Sequence, residues 1–135
     1  MRIDHIGYAV QDLAAAAEKF EALGYRSCGE ETDDFGRKVK IRFFSDTSGV
    51  MIELVAPLQG DSPVMGWIRK NGNSPYHICY ESKDLERDIT ELRQKGFILV
   101  HPIAPAPAMG GRRVAFLYGT GTGLLELAES PSPSR

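Results

Sequence analysis

The chain has little of what special chemistry or special architecture is usually built from. Among 135 residues there are two cysteines, three histidines and one tryptophan, and 16 basic side chains nearly cancel 18 acidic ones. Cys28 and Cys79 are too few for a disulfide framework, so reduced thiols and a cytoplasmic protein are expected. A net charge of −2 offers no basic field to attract nucleic acid or an anionic membrane, and neither is expected as a partner. No apolar run approaches the roughly 18 residues that a membrane span needs. The opening MRIDHIGYAV enters a strand at once, so no signal peptide is expected either. What remains is 42% hydrophobic and 25% charged, the composition of an ordinary soluble domain. The closing SPSPSR, 130–135, is expected to be a disordered tail.

What the sequence does have is a repeat. HIGYAVQDLAAAAEKFEALGY (5–25) aligns with HICYESKDLERDITELRQKGF (77–97) at an offset of 72 residues. His5 falls on His77, Asp12-Leu13 on Asp84-Leu85, Gly24 on Gly96 and Tyr25 on Phe97. After one inserted residue the offset becomes 73, placing Phe43 on Phe116 and Ile52-Glu53-Leu54 on Leu125-Glu126-Leu127. Each half reads as a strand, a helix and further strands. Residues 3–10 alternate with period two. Asp12 caps a helix with an apolar stripe of Leu13, Ala17 and Phe20, stopped by Gly24. Asp84, the stripe Leu85, Ile89 and Leu92, and Gly96 repeat that arrangement. Strands are expected near 26–31, 37–45 and 49–56, then near 98–102, 112–118 and 123–128.

The organisation expected is therefore α+β, with two tandem βαβββ modules forming a curved, cup-like mixed sheet around a central cleft. The modules are 1–58 and 76–129, joined by a bridging segment, 59–75. Within that segment Ser62-Pro63 starts a short helix and Asn71-Gly72-Asn73 ends it. PIAPAPAMGG (102–111) cannot hold a central strand and reads as a loop or surface connection, with His101 exposed beside it.

Glu53 sits within VMIELVAP and Glu126 within GLLELA, both at matched positions in apolar runs. A carboxylate taken from water costs several kcal/mol unless it is paired, hydrogen-bonded or bound to a cation. The plainer reading of any one of these residues is a satisfied core histidine or a solvent-facing glutamate. The symmetric set of His5, Glu53, His77 and Glu126 reads instead as one divalent-metal site when the two halves converge. Two imidazoles and two carboxylates suit Zn²⁺, Co²⁺, Ni²⁺, Mn²⁺ or Fe²⁺.

The paired modules, opened by His5 and His77 and closed by Glu53 and Glu126, resemble the vicinal oxygen chelate superfamily. It includes glyoxalase I, methylmalonyl-CoA epimerase, extradiol dioxygenases and fosfomycin- and bleomycin-resistance proteins. IELVAPLQGDSPVMGWIRKNG, followed by PYHICYES, most resembles the methylmalonyl-CoA epimerases. The chain departs from them in three places: at Tyr76, at Tyr118-Gly119-Thr120, and at Lys40 and Arg42 where some epimerases carry a second glutamate.

The resemblance implies an epimerase that removes a proton beside a thioester carbonyl, with Glu126 as ligand and base. Glu53 is its partner on the opposite face, and an acyl-CoA or a glutathione adduct is the substrate. A homodimer is the usual arrangement of that superfamily. The alternatives are a glyoxalase I-like lyase, an iron dioxygenase using His5, His77 and Glu126, and a metal-free binding or resistance protein. Arg69, Lys70, Arg112 and Arg113 are candidates for a coenzyme phosphate, although solvated surface charge is the plainer reading of each. Trp67 reads as a packing residue, and Cys79, two residues after His77, as a pocket wall without a catalytic role.

Overall fold

The computed structural model describes residues 1–131 and contains nine strands and three α-helices in a mixed α+β arrangement. The first half consists of β1 (Ile3–Ala9), α1 (Leu13–Ala22), β2 (Arg26–Ser27), β3 (Thr32–Asp34), β4 (Val39–Ser45) and β5 (Met51–Pro57). Helix α2 (Pro63–Asn71) follows it. The second half is β6 (Ser74–Ser82), α3 (Leu85–Gln94), β7 (Ile98–Pro105), β8 (Arg113–Gly119) and β9 (Gly123–Glu129). The strand expected over 26–31 is instead two short ones. Gly29 lies in the gap, and the Ser27 hydroxyl donates to its carbonyl at 2.9 Å, turning the chain there.

By compactness the chain divides into His5–Tyr76 and a second unit made of Met1–Asp4 with the chain from His77 onward. In the first unit β1 and β5 pair in parallel, β4 pairs antiparallel with β5, and β2 and β3 both pair with β4. One face of these strands carries Ile52, Leu54, Ala56 and Phe44, which pack with Val10 against Leu13 and Ala17 of α1.

The second unit repeats the plan. β6 and β9 are parallel, and β8 pairs antiparallel with β9 on one side and with β7 on the other. Leu85 and Ile89 of α3 pack against Ala115, Leu117, Leu125 and Leu127. Leu54 and Leu127, next to the two matched glutamates, point into these cores and are almost fully buried. An alternating strand therefore sends each neighbouring glutamate to the opposite face.

The helix stops are copied as well as the cores. Gly24 and Gly96 take φ of 99° and 97°, values a side chain disfavours. The next N–H closes the turn in both cases, Tyr25 onto the Phe20 carbonyl at 3.0 Å and Phe97 onto Leu92 at 3.1 Å. Asp12 and Asp84 cap the starts by accepting from the N–H groups of Ala15 and Arg87. Helix α2 begins at Pro63 and is capped after Asn71 by Gly72, and Trp67 packs there with its Nε1–H on the Ser74 hydroxyl at 2.9 Å.

The segment 102–111 differs from expectation in its first half. β7 continues to Pro105, with register shifts around His101, before a 3-10 turn at Pro107–Met109. Prolines are tolerated because, within this unit, β7 pairs only on its β8 side. Ser130 is tied to Ser82, its N–H donating to that carbonyl at 2.8 Å. The rest of the expected tail, 132–135, lies outside the described residues. Among the described residues no helix is long and apolar enough to cross a membrane.

Gly119 ends β8 beneath Phe97. A Cβ there would meet the Phe97 ring at 2.6 Å and the Thr122 hydroxyl at 2.8 Å. Gly119→Ala is expected to cost about 1–3 kcal/mol, the usual penalty of overpacking. Urea unfolding checks it, and an unchanged midpoint would show that Phe97 moves aside freely.

Candidate functional site

The sequence-matched histidines and glutamates occupy matched structural positions. In the first unit Glu53 on β5 stands beside Gly7 on β1 and opposite Phe43 on β4. In the second, Glu126 on β9 stands beside Cys79 on β6 and opposite Phe116 on β8. Each histidine lies two residues before the glutamate's strand partner, so it shares the glutamate's face. His5 Nε2 lies 3.5 Å from Glu53 Oε1, and His77 Nε2 lies 3.2 Å from Glu126 Oε1. The phenylalanines hold the imidazoles edge-on, with ring centroids 5.1 Å apart for His5 and Phe43 and 5.4 Å for His77 and Phe116.

All four polar side chains are buried, at 1% for His5, 5% for Glu53, 4% for His77 and 3% for Glu126. Burial at that level is what makes them unusual, because Glu is almost never fully buried without compensation. An imidazole nitrogen beside a carboxylate oxygen is also the donor chemistry that borderline divalent cations accept. By its donor atoms, each pair fits half of a four-ligand N/O site.

Strand β4 contributes no proton carrier to this face. Lys40 pairs with Ala56 and Arg42 with Leu54, which puts both on the α1 side of the sheet. Lys40 reaches Glu31 at 3.4 Å, while Arg42 Nε donates to the Ser27 hydroxyl and its guanidinium lies over Phe44. On the glutamate's side β4 presents Val39, Ile41 and Phe43 and, at its end, Ser45, whose hydroxyl donates to the Asp46 carbonyl. Within the first unit, the shared face of β4 and β5 therefore leaves Glu53 as its carboxylate.

Two of the basic candidates are occupied. Arg112 donates from Nε to the Glu129 carbonyl at 2.9 Å and from Nη1 to Asp4 at 3.0 Å. Arg113 donates to Glu86 at 2.7 Å and to Glu129 at 3.1 Å, while its backbone N–H meets Glu129 at 2.6 Å. They tie the start of β8 to its neighbours rather than standing open for a phosphate. Arg69 and Lys70 remain exposed in the last turn of α2. Cys79 is fully buried among Ala106, Val114, Phe116 and Ala128, packed into an apolar cluster.

The Arg113 cluster has a consequence for pH. The side-chain bond from Arg113 holds the Glu86 carboxyl below its ordinary value near 4.5. The Arg113 backbone N–H, with its side chain, does the same for Glu129. A lowered carboxyl contributes stability that is complete above the unfolded value and is lost as pH falls through the folded one. Arg113→Ala is therefore expected to narrow the stability difference between pH 7 and about pH 3.5, only modestly because these groups are solvent-screened. Urea midpoints at the two pH values measure it, and an unchanged difference would contradict it.

His101 was legible in sequence only as an exposed residue next to a proline. It is exposed, but it lies within β7, paired with Phe116, and its ring sits 5.9 Å from the Phe116 ring. The signal available was the repeat itself, since the 73-residue offset carries Cys28 to His101.

Known proteins resemble this chain along most of its length. Residues 4–116 match the family described as the Glyoxalase/Bleomycin resistance protein/Dioxygenase superfamily. An uncharacterised Bacillus subtilis protein, YqjC, is 33% identical over 95% of this chain and 91% of its own length. An ethylmalonyl-CoA/methylmalonyl-CoA epimerase of Cereibacter sphaeroides is 30% identical over 87% of each chain. Among solved structures, a Streptomyces coelicolor methylmalonyl-CoA epimerase in complex with 2-nitronate-propionyl-CoA superposes with a TM-score of 0.83. It is 28% identical, over 98% of this chain and 99% of that one.

Proposed function

Because the chain belongs to the glyoxalase/bleomycin resistance protein/dioxygenase superfamily, we propose that it is a metal-dependent epimerase of an acyl-CoA such as methylmalonyl-CoA. The observation that carries this reading is the doubled pair: a buried imidazole beside a buried carboxylate, set at the same register position in each half. Methylmalonyl-CoA epimerases among the relatives and structural neighbours support the substrate class.

In this proposal His5, Glu53, His77 and Glu126 hold one divalent cation. When bound, such a cation supplies Lewis-acid stabilisation of negative charge developing on a thioester carbonyl oxygen. The chain's own residues do the rest. Glu126 accepts the proton from the carbon beside the carbonyl, leaving the bonding pair delocalised towards that oxygen. Glu53, in turnovers where it carries a proton rather than serving as a ligand, donates to the opposite face of the same carbon, and the C–H bond re-forms with inverted configuration. The next turnover runs in the opposite sense or begins after the carboxyls exchange protons with water. His5 and His77, fixed edge-on by Phe43 and Phe116, keep their nitrogens aimed beside the carboxylates. The apolar lining of Val39, Ile41 and Phe43 on β4 excludes a competing base from that side.

A homodimer and a cytoplasmic location belong to the same proposal. Proton NMR of methylmalonyl-CoA in D₂O with the metal-loaded protein tests the reaction. The α-proton signal is expected to disappear far faster than without protein. Full retention of the signal, with metal bound, would overturn the acyl-CoA assignment and make the glutathione hemithioacetal of methylglyoxal the substrate to try.

A further inference from the structure

The second unit holds one continuous cross-strand row. Cys79 on β6 pairs with Glu126 on β9, Glu126 with Phe116 on β8, and Phe116 with His101 on β7. Paired residues point to the same face, so His101 shares a surface with the His77–Glu126 pair, two strand spacings or about 10 Å from Glu126 along the sheet. Its imidazole is exposed and makes no hydrogen bond or ion pair among the described residues. Tyr118, further along β8 on the same face, is also exposed.

The first unit has the same row with a different end. Gly7, Glu53 and Phe43 lead to Cys28, whose N–H donates to the Phe43 carbonyl at 3.0 Å. Partial desolvation holds the Cys28 thiol above its ordinary value, so the proton stays on sulfur, and Sγ donates to Met51 Sδ at 3.7 Å. That end is occupied by a sulfur–sulfur contact. The repeat is therefore broken at one chemically significant place, with an open imidazole on one side and an engaged thiol on the other.

We infer that His101 is a substrate-positioning residue that binds the first amide of the substrate's non-reacting arm and directs that arm across the β8–β7 surface. The inference rests on the acyl thioester reading above. In a coenzyme A thioester the sulfur and two methylenes separate the reacting carbonyl from the first amide, a spacer that passes over Phe116. A neutral imidazole presents one donor and one acceptor, matching the C=O and N–H of an amide. A doubled site cannot by itself tell one direction of the arm from the other, and His101 supplies the difference.

The test uses the metal-loaded full chain and two truncated substrates, the N-acetylcysteamine and S-ethyl thioesters of methylmalonate, which differ by possession of that amide. His101→Leu is expected to raise KM for the first about five- to tenfold, the effect of one hydrogen bond, with kcat nearly unchanged. The S-ethyl thioester should show no such loss, and His101→Gln should recover most of it. Equal loss with both thioesters, or none with either, would overturn the inference. If the wild type turns over neither, calorimetry with S-methyl-coenzyme A decides. A five- to tenfold weaker affinity in His101→Leu upholds the subsite although the reaction is wrong. Equal affinity, or no binding to the wild type, overturns it.

Discussion

Replacing His77 by alanine is expected to remove tight metal binding and to slow α-proton exchange of methylmalonyl-CoA by at least roughly 10²–10³-fold, the scale on which loss of preorganised charge stabilisation is felt. The residue is 4% exposed and its ring packs on Phe116, so alanine also leaves a small cavity beside the apolar cluster of Cys79, Val114, Phe116 and Ala128 on the same face. Stability and chemistry are separated by circular dichroism and by metal analysis of the dialysed protein. The expected result is a folded chain without stoichiometric metal. A folded variant that retains one metal per chain and near-wild-type exchange would remove His77 from the site.

The second large effect concerns the glutamates. Two carboxylates at 5% and 3% exposure each cost several kcal/mol if nothing compensates them. A cation binding only the folded state stabilises it by mass action, about 4 kcal/mol at a thousandfold excess over Kd. For a chain of this size that corresponds to a rise in Tm of the order of 10 °C. Glu53→Gln keeps the shape and removes the charge. Its metal-free form is expected to melt at or above the wild-type temperature, while its response to Zn²⁺, Co²⁺ or Ni²⁺ collapses. Scanning fluorimetry with and without metal measures both. A Gln variant that is much less stable without metal, yet keeps the full metal response, would mean that Glu53 serves the fold rather than the cation.

These expectations rest on features the sequence expressed unevenly. Helices, caps and stops were legible because they depend on local chemistry, Asp12 and Asp84 at the starts and Gly24 and Gly96 at the ends. The matched glutamates were legible because a charge inside an alternating apolar strand is conspicuous, and the repeat removed the coincidence. Strand ends were less so. β7 reaches Pro105 because, within its unit, it pairs only with β8, and no local pattern reveals that. The roles of Arg112 and Arg113 were also hidden. Their partners Asp4, Glu86 and Glu129 lie far away in sequence, and only the folded chain brings them together. His101 reads as exposed and is exposed, but its place beside Phe116 is set by the neighbouring strand rather than by the proline after it.

In the proposed site His5, Glu53, His77 and Glu126 share one cation. Cobalt titration followed by visible absorption, on the wild type and on chains with either pair replaced, His5→Ala with Glu53→Ala or His77→Ala with Glu126→Ala, tests it most directly. One equivalent of Co²⁺ per chain is expected in the wild type, and no stoichiometric binding in either half-variant. Two equivalents in the wild type, or tight binding surviving the loss of one pair, would contradict it.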